Sequence, residues 1–229
     1  MKKKLVVLSG AGVSAESGIN TFRDAGGLWE GHNIMEVASP QGFAKNPSLV
    51  LDFYNKRRQQ LHTVHPNKAH TLIAELEQIF DVTVITQNVD DLHERAGSTN
   101  VLHLHGELLK ARCTQNTTAI IDWTTDIIEG TLHPTTKKQL RPHIVWFGED
   151  VPAIAEAIPI VEKADYIIVI GTSLQVYPAA GLMEYAAPNV PIQYIDPNPA
   201  ELPSLSNPIE VFPLKASEGM KTAMNKLKC

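Results

Sequence analysis

Several short polar segments hold the side chains able to do chemistry, and each follows an apolar run. Leu5–Leu8 leads into Ser9-Gly10-Ala11-Gly12-Val13-Ser14-Ala15, which reads G-x-G-x-x-A. In a dinucleotide site the first glycine makes a tight turn and the second lets the backbone approach a pyrophosphate. The small third residue lets a following helix pack closely, and that helix offers its N-terminus to the phosphates. The same residues also fit a tight strand-to-helix turn that binds nothing. A dehydrogenase would place an acidic residue about 20 positions on, at the end of a second strand. Here that stretch, Thr21 to Gly27, reads as a loop carrying Phe22, Arg23 and Asp24. An arginine and a carboxylate on such a loop suggest a segment that folds over a nucleotide, and they weaken the hydride-transfer reading.

Thr86-Gln87-Asn88-Val89-Asp90-Asp91-Leu92-His93 follows the apolar run Val82–Ile85. Ligands of open parallel sheets bind beyond the carboxyl ends of strands. Gln87, Asn88 and Asp90 there have the right groups to hydrogen-bond a ribose or a carboxamide. Helix capping by Asn88 or Asp90 is the plain alternative. In Leu102-His103-Leu104-His105-Gly106-Glu107 an extended chain would point His103 and His105 the same way. No third ligand follows at metal spacing, so a single histidine acting as general base is the better functional reading. Gly171-Thr172-Ser173 and Asp196-Pro197-Asn198-Pro199 also follow apolar runs. Small or polar residues from several strand ends therefore converge on one sheet edge, which favours nucleotide binding.

Tyr54 and Arg57 are three apart in an expected helix begun near Pro47, so they share one face. A phenol beside a guanidinium makes a receptor for a carboxylate, because arginine can bond both oxygens.

The positioning elements follow from the apolar pattern. Leu5–Leu8, Val82–Thr86, Tyr166–Ile170 and Ile192–Ile195 are short, continuous and β-branched, as strands covered on both faces are. Helical patterns lie between them at Pro66–Phe80, Pro152–Lys163 and Ala179–Ala187, and Ala216–Leu227 follows. The expected fold is α/β, a Rossmann-like doubly wound parallel sheet with a smaller module formed by two insertions. The larger part spans about 1–29, 80–106 and 143–229. The module spans about 30–79, in which about 30 to 65 is expected to hold helices but no strand, and about 107–142, with short strands at Leu108–Arg112 and Ala119–Asp122.

These motifs, in this order, resemble the sirtuin family over almost the whole chain. The resemblance rests on Gly10-Ala11-Gly12-Val13-Ser14-Ala15-Glu16-Ser17-Gly18-Ile19 and Phe22-Arg23-Asp24. It continues through Gln87-Asn88-Val89-Asp90, His105-Gly106-Glu107, Val145-Trp146-Phe147-Gly148-Glu149 and Gly171-Thr172-Ser173. It implies one catalytic domain over 1–229 that uses NAD as co-substrate and acts on acylated lysine side chains of proteins or peptides. The acyl oxygen would attack the nicotinamide ribose, and His105 would deprotonate a ribose hydroxyl. The implied products are free lysine, nicotinamide and O-acyl-ADP-ribose. The implied cofactor residues are Gly10, Ala11, Gly12, Ser14, Ala15, Phe22, Arg23, Asp24, Trp29, Gln87, Asn88, Asp90, His105, Gly171, Thr172, Ser173, Asn198 and Ala216, with Asn88 and His105 catalytic. Val145, Trp146, Phe147 and Gly148 would form an edge that pairs with the substrate backbone. Tyr54 and Arg57 resemble the Tyr-x-x-Arg of the subgroup that removes succinyl and malonyl groups, with Ala38 widening the acyl pocket.

The chain departs from the family at the zinc ligands. Many sirtuins carry two cysteine pairs; here Cys113 stands alone, and Thr114 to Pro142 contain no cysteine. No structural zinc is expected. The module should then hold together by packing of Ile120, Ile121, Trp123, Ile127, Ile128 and Leu132. The net charge of -5 argues against a nucleic-acid partner. The Lys2–Lys4 start and brief apolar run fall short of a signal or membrane segment. With two cysteines and no disulfide framework, the chain is expected in the cytoplasm, by default as a monomer. The rival functions are a mono-ADP-ribosyltransferase or NAD glycohydrolase, and a non-catalytic NAD or ADP-ribose sensor. Keeping Tyr54 and Arg57 argues against the first, and keeping Asn88, Asp90 and His105 against the second.

Overall fold

The computed structural model describes residues 2–20, 28–29, 31–202 and 205–227. In chain order its strands are β1 (Lys4–Ser9), β2 (Leu28–Trp29), β3 (His32–Asn33), β4 (Asp81–Thr86), β5 (Val101–His103) and β6 (Gly106–Cys113). They continue with β7 (Asn116–Asp122), β8 (Leu140–Ile144), β9 (Tyr166–Ile170), β10 (Ile192–Ile195) and β11 (Ile209–Phe212). The α-helices are α1 (Ile34–Val37), α2 (Pro40–Lys45), α3 (Pro47–Leu61), α4 (Lys68–Glu75), α5 (Leu92–Arg95), α6 (Ile154–Glu162) and α7 (Ala216–Leu227).

The continuous apolar runs become the middle of a parallel sheet ordered β11-β10-β9-β1-β4-β5. Successive side chains point to opposite faces, and both faces are covered. Leu5, Val7, Ile168 and Ile170 face α4 and α7, packing on Leu72, Ile73, Met220 and Ala223. Val6, Leu8, Ile167 and Val169 face α6 and the 3-10 helix Ala179–Tyr185, packing on Val161, Leu182 and Met183. The strand order reverses direction between β1 and β9, which is where open α/β sheets form a ligand crevice.

A second sheet, β7-β6-β8, is antiparallel. Helix α3 packs on it through Phe53, Tyr54 and Leu51, meeting Leu108, Ala111 and Leu140. Local signals start the helices. Asn46 caps α3 by accepting from the Leu49 N–H at 3.1 Å, with Pro47 in the first turn. Ser39 caps α2 from the Gly42 N–H at 2.9 Å.

The fold differs from the sequence expectations in several places. Among the described residues, no α-helix directly follows β1. Two 3-10 turns, Ala11–Val13 and Ala15–Ser17, take its place and end at Gly18 with φ 93°. The region expected to lack strands contains the two-residue β3, paired with β2. Strands β5, β8 and β11 were not anticipated. The small module is not packed by all the residues expected: Ile127 is buried and Ile121 and Trp123 partly so, but Ile120, Ile128 and Leu132 are exposed. Leu51, Ala111 and Leu140 supply the rest of that core. Among the described residues no helix is long and apolar enough to cross a membrane.

Backbone contact at the switch point sets a tight constraint. Gly12 donates its N–H to the Gly171 carbonyl at 2.8 Å, and Gly10 donates to Ile170 at 3.0 Å. A Cβ on Gly12 would lie 2.7 Å from the Gly171 Cα, and one on Gly171 would lie 2.2 Å from the Val13 nitrogen. Gly171 also has φ 62°, which disfavours any side chain. We predict that Gly171→Ala destabilises the protein by about 2–4 kcal/mol, an overpacking and strain effect. Thermal unfolding should show a fall of roughly 5–15 °C. An unchanged midpoint would mean that the loops after β1 and β9 part without cost.

Candidate active site

A cavity of about 640 Å³ opens at the carboxyl ends of β1, β4, β9 and β10 and runs toward α3. Of the residues singled out in the sequence, Gly10, Ala11, Gly12, Ala15, Gln87, Asn88, Asp90 and His105 line it. So do Gly171, Thr172, Ser173, Asn198 and Ala216. At the small-module end it is lined by Trp29, Ala38, Tyr54, Arg57, Val145, Trp146, Phe147 and Gly148. Phe22, Arg23 and Asp24 lie outside the described residues. Glu16, Tyr177, Lys215 and Glu149 also line the cavity but were not assigned a role from sequence. Glu16 lies in the glycine-loop motif and accepts from the Ser217 N–H at 2.8 Å, tying that loop to the start of α7.

Ser14 is not part of the lining. It is fully buried behind the cavity wall. Its Oγ donates to Asp90 Oδ2 at 3.0 Å, accepts from Asn88 Nδ2 at 3.1 Å and lies 3.4 Å from His70 Nε2. One hydroxyl therefore fixes both polar side chains that follow β4. Thr86 Oγ1 adds a bond from the Asn88 N–H at 3.0 Å and one from Ser9 Oγ at 2.9 Å. Burial raises the Asp90 pKa to about 6, although the Leu92 N–H and Ser14 partly offset it.

The two histidines of the Leu102–Glu107 segment do different jobs, because β5 ends at His103 and the chain turns at Leu104 and His105. His103 places Nδ1 2.8 Å from the Asn88 carbonyl and Nε2 2.7 Å from Glu94. Burial opposes its charge, but Glu94 and the Asn88 carbonyl outweigh it and raise its pKa. It clamps the backbone under Asn88. His105 places Nδ1 3.0 Å from the Gln87 carbonyl. A carbonyl only accepts, so Nδ1 carries the proton and Nε2 keeps its lone pair. Burial lowers the His105 pKa, against a smaller opposing effect of that carbonyl. The site thus contains a neutral imidazole with a basic nitrogen.

Gln87 donates from Nε2 to Thr172 Oγ1 at 3.1 Å, joining the loops after β4 and β9. Asn198 sits in a turn after β10, its N–H on Asp196 Oδ1 at 2.9 Å. Trp29 packs edge-on against Phe53 and Tyr54, with ring centroids 5.0 and 6.2 Å away, so it borders the small-module end. The Arg57 guanidinium stacks 4.1 Å over the Phe53 ring. Tyr54 is fully buried and its hydroxyl accepts from Trp146 Nε1 at 3.0 Å. Burial raises its pKa, so it stays a protonated phenol with a hydrogen to donate.

Residues 145–149 form a loop, not the expected extended edge. Its N–H groups are used internally: Val145 donates to His105 O at 2.8 Å and Phe147 to Ala38 O at 2.9 Å. Trp146 donates to Glu149 Oε2 at 2.8 Å. A peptide cannot pair through those three donors in this arrangement. Burial works against the Glu149 charge, but Arg141, the Trp146 N–H and Arg112 outweigh it and hold its pKa below the usual range.

The residues around Cys113 do not fit a metal. Its sulfur accepts from Thr136 Oγ1 at 3.2 Å and the Gln115 N–H at 3.4 Å. Among the described residues no group of three or more His, Cys, Asp or Glu is placed to hold an ion.

A carboxyl whose pKa rises on folding contributes stability that is complete below its unfolded value near 3.8 and is lost as pH rises through about 6. Asp90→Asn removes that buried charge. It should stabilise the ligand-free protein by about 1–3 kcal/mol at pH 7.5 and by little at pH 4. Thermal unfolding at both pH values checks this; a variant that is less stable at pH 7.5 would refute it.

Residues 10–178 match the Sir2 family. An NAD-dependent protein deacylase from Helicobacter pylori strain J99 is 56% identical over 225 residues, covering 98% of this chain and 95% of its own. One of the same description from Bacteroides thetaiotaomicron is 52% identical over 224 residues, covering 96% and 95%. The crystal structure of a Sir2 homolog–NAD complex aligns with a TM-score of 0.84 at 41% identity, covering 99% of this chain and 90% of its own. The family match over residues 10–178 and relatives more than 50% identical over nearly the whole chain show that the chain belongs to the Sir2 family.

Proposed function

We propose that this protein is an NAD-dependent protein-lysine deacylase that favours acidic acyl groups such as succinyl and malonyl. The observation that carries the reading is one continuous cavity. It joins the glycine-rich sheet edge to His105, and His105 to Tyr54 and Arg57. Family membership and the NAD-dependent deacylase description of relatives above 50% identity support the enzyme class. The residues fit the co-substrate: small residues at Gly10–Gly12 and Gly171 line the sheet-edge end of the cavity, and polar side chains line its walls.

NAD supplies an electrophilic ribose carbon and nicotinamide as leaving group. The chain supplies position and proton transfer. Gly10, Ala11, Gly12, Ala15, Thr172, Ser173, Asn198 and Ala216 bind the ADP-ribose portion. Asn88 and Asp90 face the nicotinamide ribose, oriented from behind by Ser14. His105 takes a ribose hydroxyl proton at Nε2, which its bond to Gln87 leaves basic. Ala38 and Trp146 flank the lysine arm. Tyr54 donates its phenol proton, and Arg57 its guanidinium N–H groups, to the acyl carboxylate.

The test is mass spectrometry of one peptide carrying acetyl-, malonyl- or succinyl-lysine, with and without NAD. NAD-dependent loss of succinyl is expected, and His105→Tyr should lower the rate by about 10²–10⁴-fold. Tyr54→Phe with Arg57→Met should shift the preference toward acetyl. Nicotinamide release without acyl loss would instead indicate a transferase or glycohydrolase. NAD binding with no consumption would indicate a sensor. Since burial lowers the His105 pKa, the acid limb of kcat/KM should lie below the ordinary imidazole value of 6.5. A limb above it would remove His105 as the base.

A further inference from the structure

The Glu149 carboxylate is the meeting point of a buried network that ends in the acyl pocket. Oε1 accepts from Arg141 Nη1 at 2.7 Å. Oε2 accepts from Arg141 Nη2 at 3.0 Å, Arg112 Nη2 at 2.8 Å and the Trp146 N–H at 2.8 Å. Both arginines are buried, on β8 and β6. Held by two arms, the Arg141 guanidinium lies 3.2 Å from the Trp146 ring centroid. Phe43 packs on the same indole, with centroids 5.3 Å apart. Trp146 Nε1 then donates to the Tyr54 hydroxyl.

We propose that Glu149 is a positioning residue that sets acyl-group choice through Arg141, Trp146 and Tyr54. The inference rests on the reading of Tyr54 and Arg57 as a carboxylate receptor. An indole N–H donates and never accepts. While Trp146 is held in place, the Tyr54 oxygen is therefore an acceptor from it, and the phenol proton must go elsewhere. Within the cavity it shares with Arg57, the partner that uses both donors is an anionic acceptor such as an acyl carboxylate. An acetyl group presents no such acceptor and is indifferent to where that proton points.

Removing the carboxylate leaves two buried guanidiniums that share only the Ile144 carbonyl, at 2.7 Å from Arg141 and 3.2 Å from Arg112. Like charges held that close separate, and the stack on Trp146 is lost. Trp146 then loses the bond at its own N–H and the cation over its ring, Phe43 and the flanking Val145 and Phe147 bonds remain to hold it, and the direction of the Nε1–H bond to Tyr54 is less tightly set.

The experiment measures kcat and KM for succinyl- and acetyl-lysine versions of one peptide at saturating NAD. The proteins are wild type, Glu149→Gln, Arg141→Lys, Trp146→Phe and the Glu149→Gln/Trp146→Phe double variant. Arg141→Lys keeps the charge but loses the planar fork and stack, so it carries the comparison if Glu149→Gln does not fold. The succinyl-to-acetyl ratio of kcat/KM should fall about tenfold in each single variant, through the succinyl KM rather than kcat. The double variant should fall no further than Trp146→Phe alone, because both changes act on one bond. Parallel losses for both acyl groups that track a lowered Tm, or effects of Glu149→Gln and Trp146→Phe that multiply, would overturn the proposal. If wild type itself shows no preference for succinyl, the carboxylate-receptor reading fails before any variant is compared.

Discussion

Where β1 and β9 end, the backbones of Gly12 and Gly171 meet with a 2.8 Å hydrogen bond and no room for a side chain between them. Much of the site depends on that contact. It draws the two central strands together at the point where the strand order reverses, so the crevice opens beside them rather than between splayed loops. It also explains the glycine pattern differently from ligand approach alone. The space next to Gly10 and Gly12 is filled by Gly171 and Thr172, so these glycines are required by the fold whether or not a nucleotide is present. The loop then returns through two tight 3-10 turns, and Ser14 is carried inward beneath the cavity floor.

Behind that floor the sequence concentrates buried polar groups at some cost to stability. Asp90 is held against its preferred hydration, with the buried histidines His70 and His93 close by, their rings 4.9 Å apart in an edge arrangement. Burial depresses both imidazoles, His70 to about 4, so they remain neutral. The hydroxyls of Ser9, Ser14 and Thr86 absorb most of the hydrogen-bonding demand. A shelf of this kind fixes Asn88 and Asp90 without flexible side chains, which is what a site must do to hold reacting groups at close tolerance.

The central sheet was legible because β1 and β9 carry unbroken apolar runs and β4 and β10 are interrupted only by Thr83 and Gln193, and α7 is bounded as its pattern suggests. β8 was not, for a physical reason. Its sequence, Leu-Arg-Pro-His-Ile, is polar by composition, yet its arginine is buried by pairing with a carboxylate eight residues on. Hydropathy cannot anticipate a buried charge whose partner lies on another segment. The edge strand β11 alternates weakly with exposed Glu210 and Val211, and β5 has three residues, too short for a period to register. At the site, motif position placed His105, Asn88, Tyr54 and Arg57 around one cavity. It could not show the depth of Ser14, the packing of Trp29 on Phe53 and Tyr54, or the internal use of the N–H groups at 145–147. Most of those depend on contacts between residues far apart in sequence.

The small module shows why such contacts bear on function. Its aliphatic core is modest, and the residues around Cys113 give no metal to stiffen it. Glu149 and two buried arginines link β6, β8 and the 145–149 loop instead. A buried ion network is weak evidence for net stability, since desolvation offsets much of its attraction. Its stronger effect is geometric: few arrangements satisfy a bidentate arginine, a second guanidinium and a backbone N–H on one carboxylate. Because Trp146 is part of that arrangement and also donates to Tyr54, the geometry that orders the module reaches the Tyr54 end of the cavity. The sheet-edge end of the cavity is fixed by glycine backbone contacts and the small-module end by charge pairing. The two ends are joined through His105, whose carbonyl holds Val145 and whose ring is held by Gln87. Changes confined to the charge network should therefore act on the Tyr54 end of the cavity and leave the sheet edge in place.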